Sequence, residues 1–227
     1  MLRKDQRFLV CSEVISWFRQ FAANKNGPFL DIGAGRGALL FQLPVPRSGL
    51  EQDLQFKKDL ENQSISWGNW LESGEEYDAK TVVGNLPFGN SIAHLIQIYV
   101  TCPKAEQIAV ILEENVANKL VSRGRLGFLA RCLFECEYVK TIPGTCFKPK
   151  VRVSAAILKL RPLPKSKILV PKLLKLLRKL TNVRKFLRKT YPDIPVSLSK
   201  KRIDQLCDEE EAVLREYLFD YNPEELS

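Results

Sequence analysis

The stretch Phe29-Leu30-Asp31-Ile32-Gly33-Ala34-Gly35-Arg36-Gly37 decides the fold. Its first four residues form a short apolar run broken by one acid, the pattern of a buried strand. Three glycines follow at alternate positions, and Ala38-Leu-Leu-Phe-Gln-Leu43 reads as the opening of a helix. Strand, glycine turn and helix begin a βαβ unit. Glycine at such a turn lets a ligand approach the backbone without obstruction by a Cβ. The helix N-terminus behind it would offer free amides to an anionic group. Dinucleotide enzymes space these glycines as GxGxxG. The spacing here is GxGxG with Asp31 just ahead. It suits a nucleoside–amino acid ligand, whose carboxylate can take the amides.

On the N-terminal side, Val14 to Ala23 is helix-like and ends before Gly27-Pro28. On the C-terminal side, strands are expected to end at Gly49-Leu50-Glu51, to lie near Ile65, and to run over Thr81–Gly84, Gln107–Leu112 and Val153–Leu160. Strands alternating with helical stretches predict an α/β sheet covered on both faces. Pro162-Leu-Pro164 marks a boundary. It predicts a Rossmann-like domain over 1–161 and a small helical domain over 162–227. In the latter, Val170 to Lys189 carries leucines at helical spacing, and Ser199 to Leu218 supplies a further helix or two.

Two more constellations could carry chemistry. Glu51 ends the second strand, where an acid can accept hydrogen bonds from both hydroxyls of a ribose. Nearby Asp53 is the competitor, with a helix N-terminal charge as its alternative role. Asn85-Leu86-Pro87-Phe88 directly follows a strand. It offers an amide oxygen, a backbone carbonyl held by proline, and an aromatic face. Together these can hold a flat, amino-bearing base.

Charge is divided sharply along the chain. Residues 147–202 hold eighteen Lys and Arg against one acid, Asp193, for a net of +17. Residues 203–227 hold Arg215 against nine acids. The basic block fits a nucleic-acid phosphate backbone. Within it Arg184, Lys185, Arg188 and Lys189 repeat at helical spacing and share one side of a helix. The six cysteines show no CxxC spacing and His94 is the single histidine, so no zinc site is expected. No apolar run is long enough to span a membrane. The N-terminus lacks a secretory pattern. The protein is expected to be a monomer and cytoplasmic, with the mitochondrion as the alternative compartment.

Gln6-Arg-Phe-Leu9, Asp31-Ile-Gly-Ala-Gly-Arg-Gly37, Leu50-Glu-Gln-Asp53 and Val83-Gly-Asn-Leu-Pro-Phe88 occur in a familiar order. The sequence resembles the KsgA/Erm family of ribosomal RNA adenine dimethyltransferases, which also contains mitochondrial transcription factor B. Phe147-Lys-Pro-Lys-Val-Arg-Val-Ser-Ala155 looks like the family's Phe-x-Pro-x-Pro-Lys-Val-Asp-Ser segment, with Arg152 near the usual Asp. Val183 to Lys189 looks like its Arg-Arg-Lys-x-Leu-Arg element. Arg7 stands where the family has Asn or His, and Asn69 where it has an Asp that reads the cofactor's adenine amine.

The resemblance implies a class I methyltransferase fold, S-adenosylmethionine as cofactor, and an adenine of small-subunit ribosomal RNA as substrate. Gln6 and Phe8 would border the pocket. Asp31, Gly33, Gly35 and Gly37 would line the methionine side, Glu51 would hold the ribose and Asn69 the adenine. Asn85 and Pro87 would accept from the target amine, and Phe88 would stack on its ring. The transfer needs no metal. Two alternatives use the same fold: a non-catalytic ribosome assembly or mitochondrial transcription factor, and an Erm-like resistance enzyme acting on large-subunit RNA.

Overall fold

The computed structural model describes residues 6–163 and 203–219. In chain order the strands are β1 (Phe8–Leu9), β2 (Phe29–Ile32), β3 (Arg47–Glu51), β4 (Ile65–Trp67), β5 (Thr81–Asn85), β6 (Gln107–Glu113), β7 (Phe134–Ile142), β8 (Phe147–Lys148) and β9 (Ala155–Pro162). The helices are α1 (Ser12–Ala23), α2 (Trp70–Ser73), α3 (Ser91–Thr101), α4 (Glu114–Val121), α5 (Arg125–Leu133) and α6 (Asp208–Phe219). Seven strands form one sheet in the order β4-β3-β2-β5-β6-β9-β7, and β1 pairs with β8 in a separate ribbon. Strands β2 to β6 run parallel to their neighbours, and β9 lies antiparallel to β6.

The sheet forms where the sequence is apolar without alternation. All four residues of β2 and the five interior residues of β6 are buried, as strands covered on both faces require. Helix α1 buries Val14, Phe18, Phe21 and Ala22, one stripe at helical spacing. That stripe joins Phe29, Leu40, Ala109, Ile111 and Ile157 in a single core.

Two features depart from the sequence pattern. The expected helix from Ala38 is a hydrogen-bonded turn followed by one 3-10 turn, Leu40–Gln42. Pro44 and Pro46 leave too few residues for an α-helix to propagate. The strand β7 carries Glu135, Glu137 and Lys140 and lies at a sheet edge, so it shows no apolar run.

The chain divides into two compact units. One gathers Met1–Asn118 and Cys136–Pro162, the other Lys119–Glu135 and Leu163–Ser227. The second unit thus draws on a segment inside the 1–161 span. Within it Arg131 of α5 and Glu211 of α6 form a two-pronged ion pair at 2.6 and 2.8 Å. Glu211 is buried, so this pairing is what makes its charge tolerable there. The first turn of α6 holds Asp208, Glu209, Glu210 and Glu211, acids that the helix dipole favours. Much of the acidic C-terminal composition is thereby accounted for by one helix start. Arg184, Lys185, Arg188 and Lys189, with the helix expected around them, lie outside the described residues. No helix among the described residues is long and apolar enough to cross a membrane.

Candidate active site

The chain lays down β2, β3 and β4 in one direction across the sheet. It then crosses back to place β5 on the other side of β2. At such a reversal the loops leaving the carboxyl ends of the strands diverge and open a crevice. Ile32 lies opposite both Leu50 and Gly84. The glycine loop, Glu51 and Asn85 therefore emerge side by side. The crevice is a cavity of about 460 Å³, a size that suits a nucleoside-sized ligand. Gln6, Phe8, Asp31, Gly33, Gly35, Glu51, Asn69, Asn85, Pro87 and Phe88 all line it. Gly37 does not, and a Cβ on it would strike the Phe41 ring, so its part is to let the turn close.

The glycine loop owes its shape to left-handed backbone. Gly33, Gly35 and Gly37 have φ of 73°, 55° and 82°. A side chain there would be strained whatever space it met. The loop is pinned from below by Glu51. One carboxylate oxygen accepts the Gly35 amide at 2.7 Å, and the other accepts the amides of Gln52 and Asp53 at 2.8 Å each. Glu51 therefore holds the loop as well as facing the cavity. Asp53 instead caps the turn Leu54–Phe56 and receives the Gln6 side-chain amide at 2.8 Å, the structural role weighed for it above.

Asp31 is buried beneath the loop, and its carboxyl is pushed up to about 7 by burial, with the charge of Glu51 adding to the effect. The folded chain therefore binds this proton more tightly than the unfolded chain, whose reference value is 3.8. Stability is lost as pH rises from about 4 to about 7. Asp31→Asn should gain on the wild type by as much as about 4 kcal/mol between pH 4 and pH 8. Urea denaturation at the two pH values checks this, and a constant difference would refute it.

Asn85 is locked in orientation. Its Nδ2 donates to the Arg7 carbonyl at 2.7 Å, while its Oδ1 is buried with no partner. Gln6 is arranged the same way, with Nε2 on Asp53 and Oε1 buried and unpartnered. A buried acceptor without a donor is costly, so these two oxygens mark where a ligand donor belongs. The Pro87 carbonyl accepts the Asn90 amide at 3.1 Å, which fixes the turn and uses part of its accepting capacity. The Phe88 ring is braced edge-on by Phe147 at 5.8 Å. Phe8 packs edge-on to Phe56 at 5.6 Å, with the Arg36 guanidinium 5.7 Å above its ring.

Two lining residues were not read as functional from the sequence. Trp70 and His94 are both buried beside the cavity, 5.6 Å apart. The His94 Nδ1 donates to the Asn90 carbonyl at 2.9 Å, and burial lowers its pKa. Trp70 follows Asn69 directly, which was the available signal. For His94 only the fold supplies one. Among the described residues no cluster of His, Cys, Asp and Glu could hold a metal.

Residues 50–214 match the family model described as ribosomal RNA adenine dimethylase. That span is most of the chain. The chain belongs to the ribosomal RNA adenine dimethylase family. It is 27% identical over 181 residues to a ribosomal RNA small subunit methyltransferase A of Nitrosospira multiformis, covering 72% of this chain and 70% of that one. The fold resembles that of the 23S rRNA methyltransferase ErmE, with a TM-score of 0.67 and 21% identity, over 94% of this chain and all of that one. It also resembles a dimethyladenosine transferase from Plasmodium falciparum, with a TM-score of 0.68 and 15% identity, over 91% and 95% of the two chains. The family is one of S-adenosylmethionine-dependent methyltransferases, and the cavity fits that cofactor. It offers buried carboxylates to a cationic ligand, glycines to a close-lying chain, and unpartnered oxygens to amines.

Within this dimethylase site Asn69 is held by a neighbouring carboxylate. Its Nδ2 donates to Glu72 at 2.6 Å. This bond turns Oδ1 away from Glu72. An Asp at this position would instead set two carboxylates against each other. Asn69→Asp alone is therefore expected to leave cofactor affinity unimproved, and Asn69→Asp with Glu72→Gln to tighten it about tenfold, the size of one charge-assisted bond. Calorimetric titration decides it. Equal gains in the two variants would show that Glu72 plays no part.

Proposed function

We propose that this chain methylates the exocyclic amine of an adenine in small-subunit ribosomal RNA, acting as a cytoplasmic monomer with S-adenosylmethionine as donor. The observation that carries the proposal is the buried, unpartnered Asn85 Oδ1 beside the braced Phe88 ring. The family and the small-subunit name of the Nitrosospira relative support the RNA and the subunit.

When bound, the cofactor supplies an electrophilic methyl on a sulfonium centre. The chain's task is to present a poor nucleophile, since the adenine amine delocalises its lone pair into the ring. Asn85 Oδ1 accepts one amine hydrogen, and the Pro87 carbonyl is the proposed second acceptor. Two acceptors below the amine favour a pyramidal nitrogen whose lone pair is directed at the methyl. Phe88 holds the base by its face. The work is positioning and electrostatics, and no general base is required. Gln6 Oε1, Glu51 and Asn69 would accept from the cofactor's donors.

The test is to incubate the protein and methyl-labelled cofactor with unmodified small subunits, large subunits and naked RNA, and to map the labelled base. Label on the N6 of small-subunit adenine is expected. Label confined to large subunits would overturn the subunit assignment, and no label on any RNA would overturn the activity.

A further inference from the structure

The cavity wall at Asn69 and Trp70 is completed by α3. Gln97 of that helix donates its Nε2 to the Trp70 carbonyl at 3.0 Å, which ties α2 to α3. One turn earlier, the His94 ring packs against Trp70 with 5.6 Å between centroids and 49° between planes. Both rings line the cavity, as does Asn69 immediately before Trp70. His94 is only 8% exposed.

The His94 ring is fixed at one nitrogen and uncommitted at the other. A backbone carbonyl can only accept, so the Nδ1 that meets the Asn90 carbonyl carries the hydrogen. Burial favours the uncharged ring. An uncharged imidazole with its hydrogen on Nδ1 presents a bare lone pair at Nε2. Among the described residues no group donates to that atom. An acceptor in a pocket that a ligand desolvates needs its donor from that ligand.

Asn69 addresses the cofactor's purine on the reading above. The exocyclic amine of adenine carries two N–H donors, and Asn69 Oδ1 serves one of them. The second needs another acceptor at the same end of the cavity. Trp70 has only an N–H donor and a ring face, and Leu71 has neither donor nor acceptor in its side chain. Asn90 also lines the cavity but is exposed. We infer that His94 Nε2 accepts the second amine hydrogen of the cofactor's adenine and makes the pocket specific for a 6-aminopurine. The inference rests on the methyl-donor reading above, and it assigns a specificity residue that lies in none of the motifs.

The test titrates S-adenosylhomocysteine and its 6-deamino analogue, in which purine riboside replaces adenosine, by calorimetry. The thioether keeps the nucleoside and has no methyl to transfer. Wild type, H94N, H94F and H94Q are compared. Asn keeps a donor for the Asn90 carbonyl but has no atom at the reach of Nε2. Phe keeps a ring against Trp70, and Gln carries an amide oxygen out to that reach. Loss of the amine should weaken wild-type binding about a hundredfold, about tenfold for each acceptor left without its donor. In H94N and H94F the affinity for S-adenosylhomocysteine should fall about tenfold, and the penalty for losing the amine should shrink to about tenfold. H94Q should restore most of both. A histidine with a purely structural role would weaken both ligands equally and leave the wild-type penalty intact. That result in either H94N or H94F overturns the inference, and so does wild-type affinity in both. A wild type that binds the two ligands equally overturns the inference and leaves the cofactor reading standing. A wild type that binds neither overturns both.

Discussion

Asn85→Ala should lower kcat on unmodified small subunits by about 10²–10³-fold, the usual consequence of removing one group aimed at a reacting centre. RNA and cofactor affinity should change far less. The expectation rests on how the side chain is held. Nδ2 is fixed on the Arg7 carbonyl, so Oδ1 cannot rotate away and is buried without a partner. Its accepting capacity is stored for a donor that arrives with substrate. Asn85→Asp tests the same geometry more sharply. A carboxylate cannot donate to the Arg7 carbonyl, and its second oxygen would face that carbonyl unpaired. Both variants should therefore be impaired, the Asp variant by misorientation although an acceptor is kept. Single-turnover rates with saturating RNA separate chemistry from binding. Full activity in the Ala variant would remove Asn85 from the mechanism.

Glu51→Ala should cost both cofactor binding and stability. Three amides, those of Gly35, Gln52 and Asp53, end on this one carboxylate. Removing it leaves them without their acceptor in a site where Glu51 itself is only 7% exposed. Each such loss costs about 1–3 kcal/mol. Because one side chain serves all three, a combined loss of about 3–5 kcal/mol in unfolding free energy is expected, short of full additivity. Cofactor affinity should fall by at least about a hundredfold, since the loop that would cradle the ligand loses its anchor together with the proposed ribose acceptor. Glu51→Gln should fall between, because one amide oxygen can serve only one side of the set. Denaturant unfolding and calorimetric titration read the two effects separately. Affinity loss without destabilisation would show that the loop keeps its shape without Glu51.

How much of this was legible in the sequence can be argued from particular residues. The glycine loop was, because three positive φ angles at alternate positions are tolerable only to glycine, and a sequence that spends glycines there announces the turn. The central strands were, because burial on both faces demands unbroken apolar runs. The edge strand β7 was not, because an edge may carry charge and then looks like surface. The helix after Gly37 was misread because apolar composition suited it, while the prolines that forbid it lie beyond the run.

The sequence by itself determined the chemical parts of the site: an acid before glycines, an acid ending the next strand, and an amide, proline and aromatic ending a later one. It determined them because local motifs report local needs of the backbone and of ligand contact. Only the tertiary structure decided how those parts are used. Glu51 became the anchor of the glycine loop because the parallel pairing of β2 with β3 sets its carboxylate beside the Gly35 amide. Asn85 acquired a fixed orientation because Arg7, seventy-eight residues earlier in the chain, places a carbonyl beside it. Trp70 and His94 joined the cavity wall, and Phe147 came to brace Phe88, through packing between distant segments. Such contacts depend on the path of the whole chain, and no window of residues contains them.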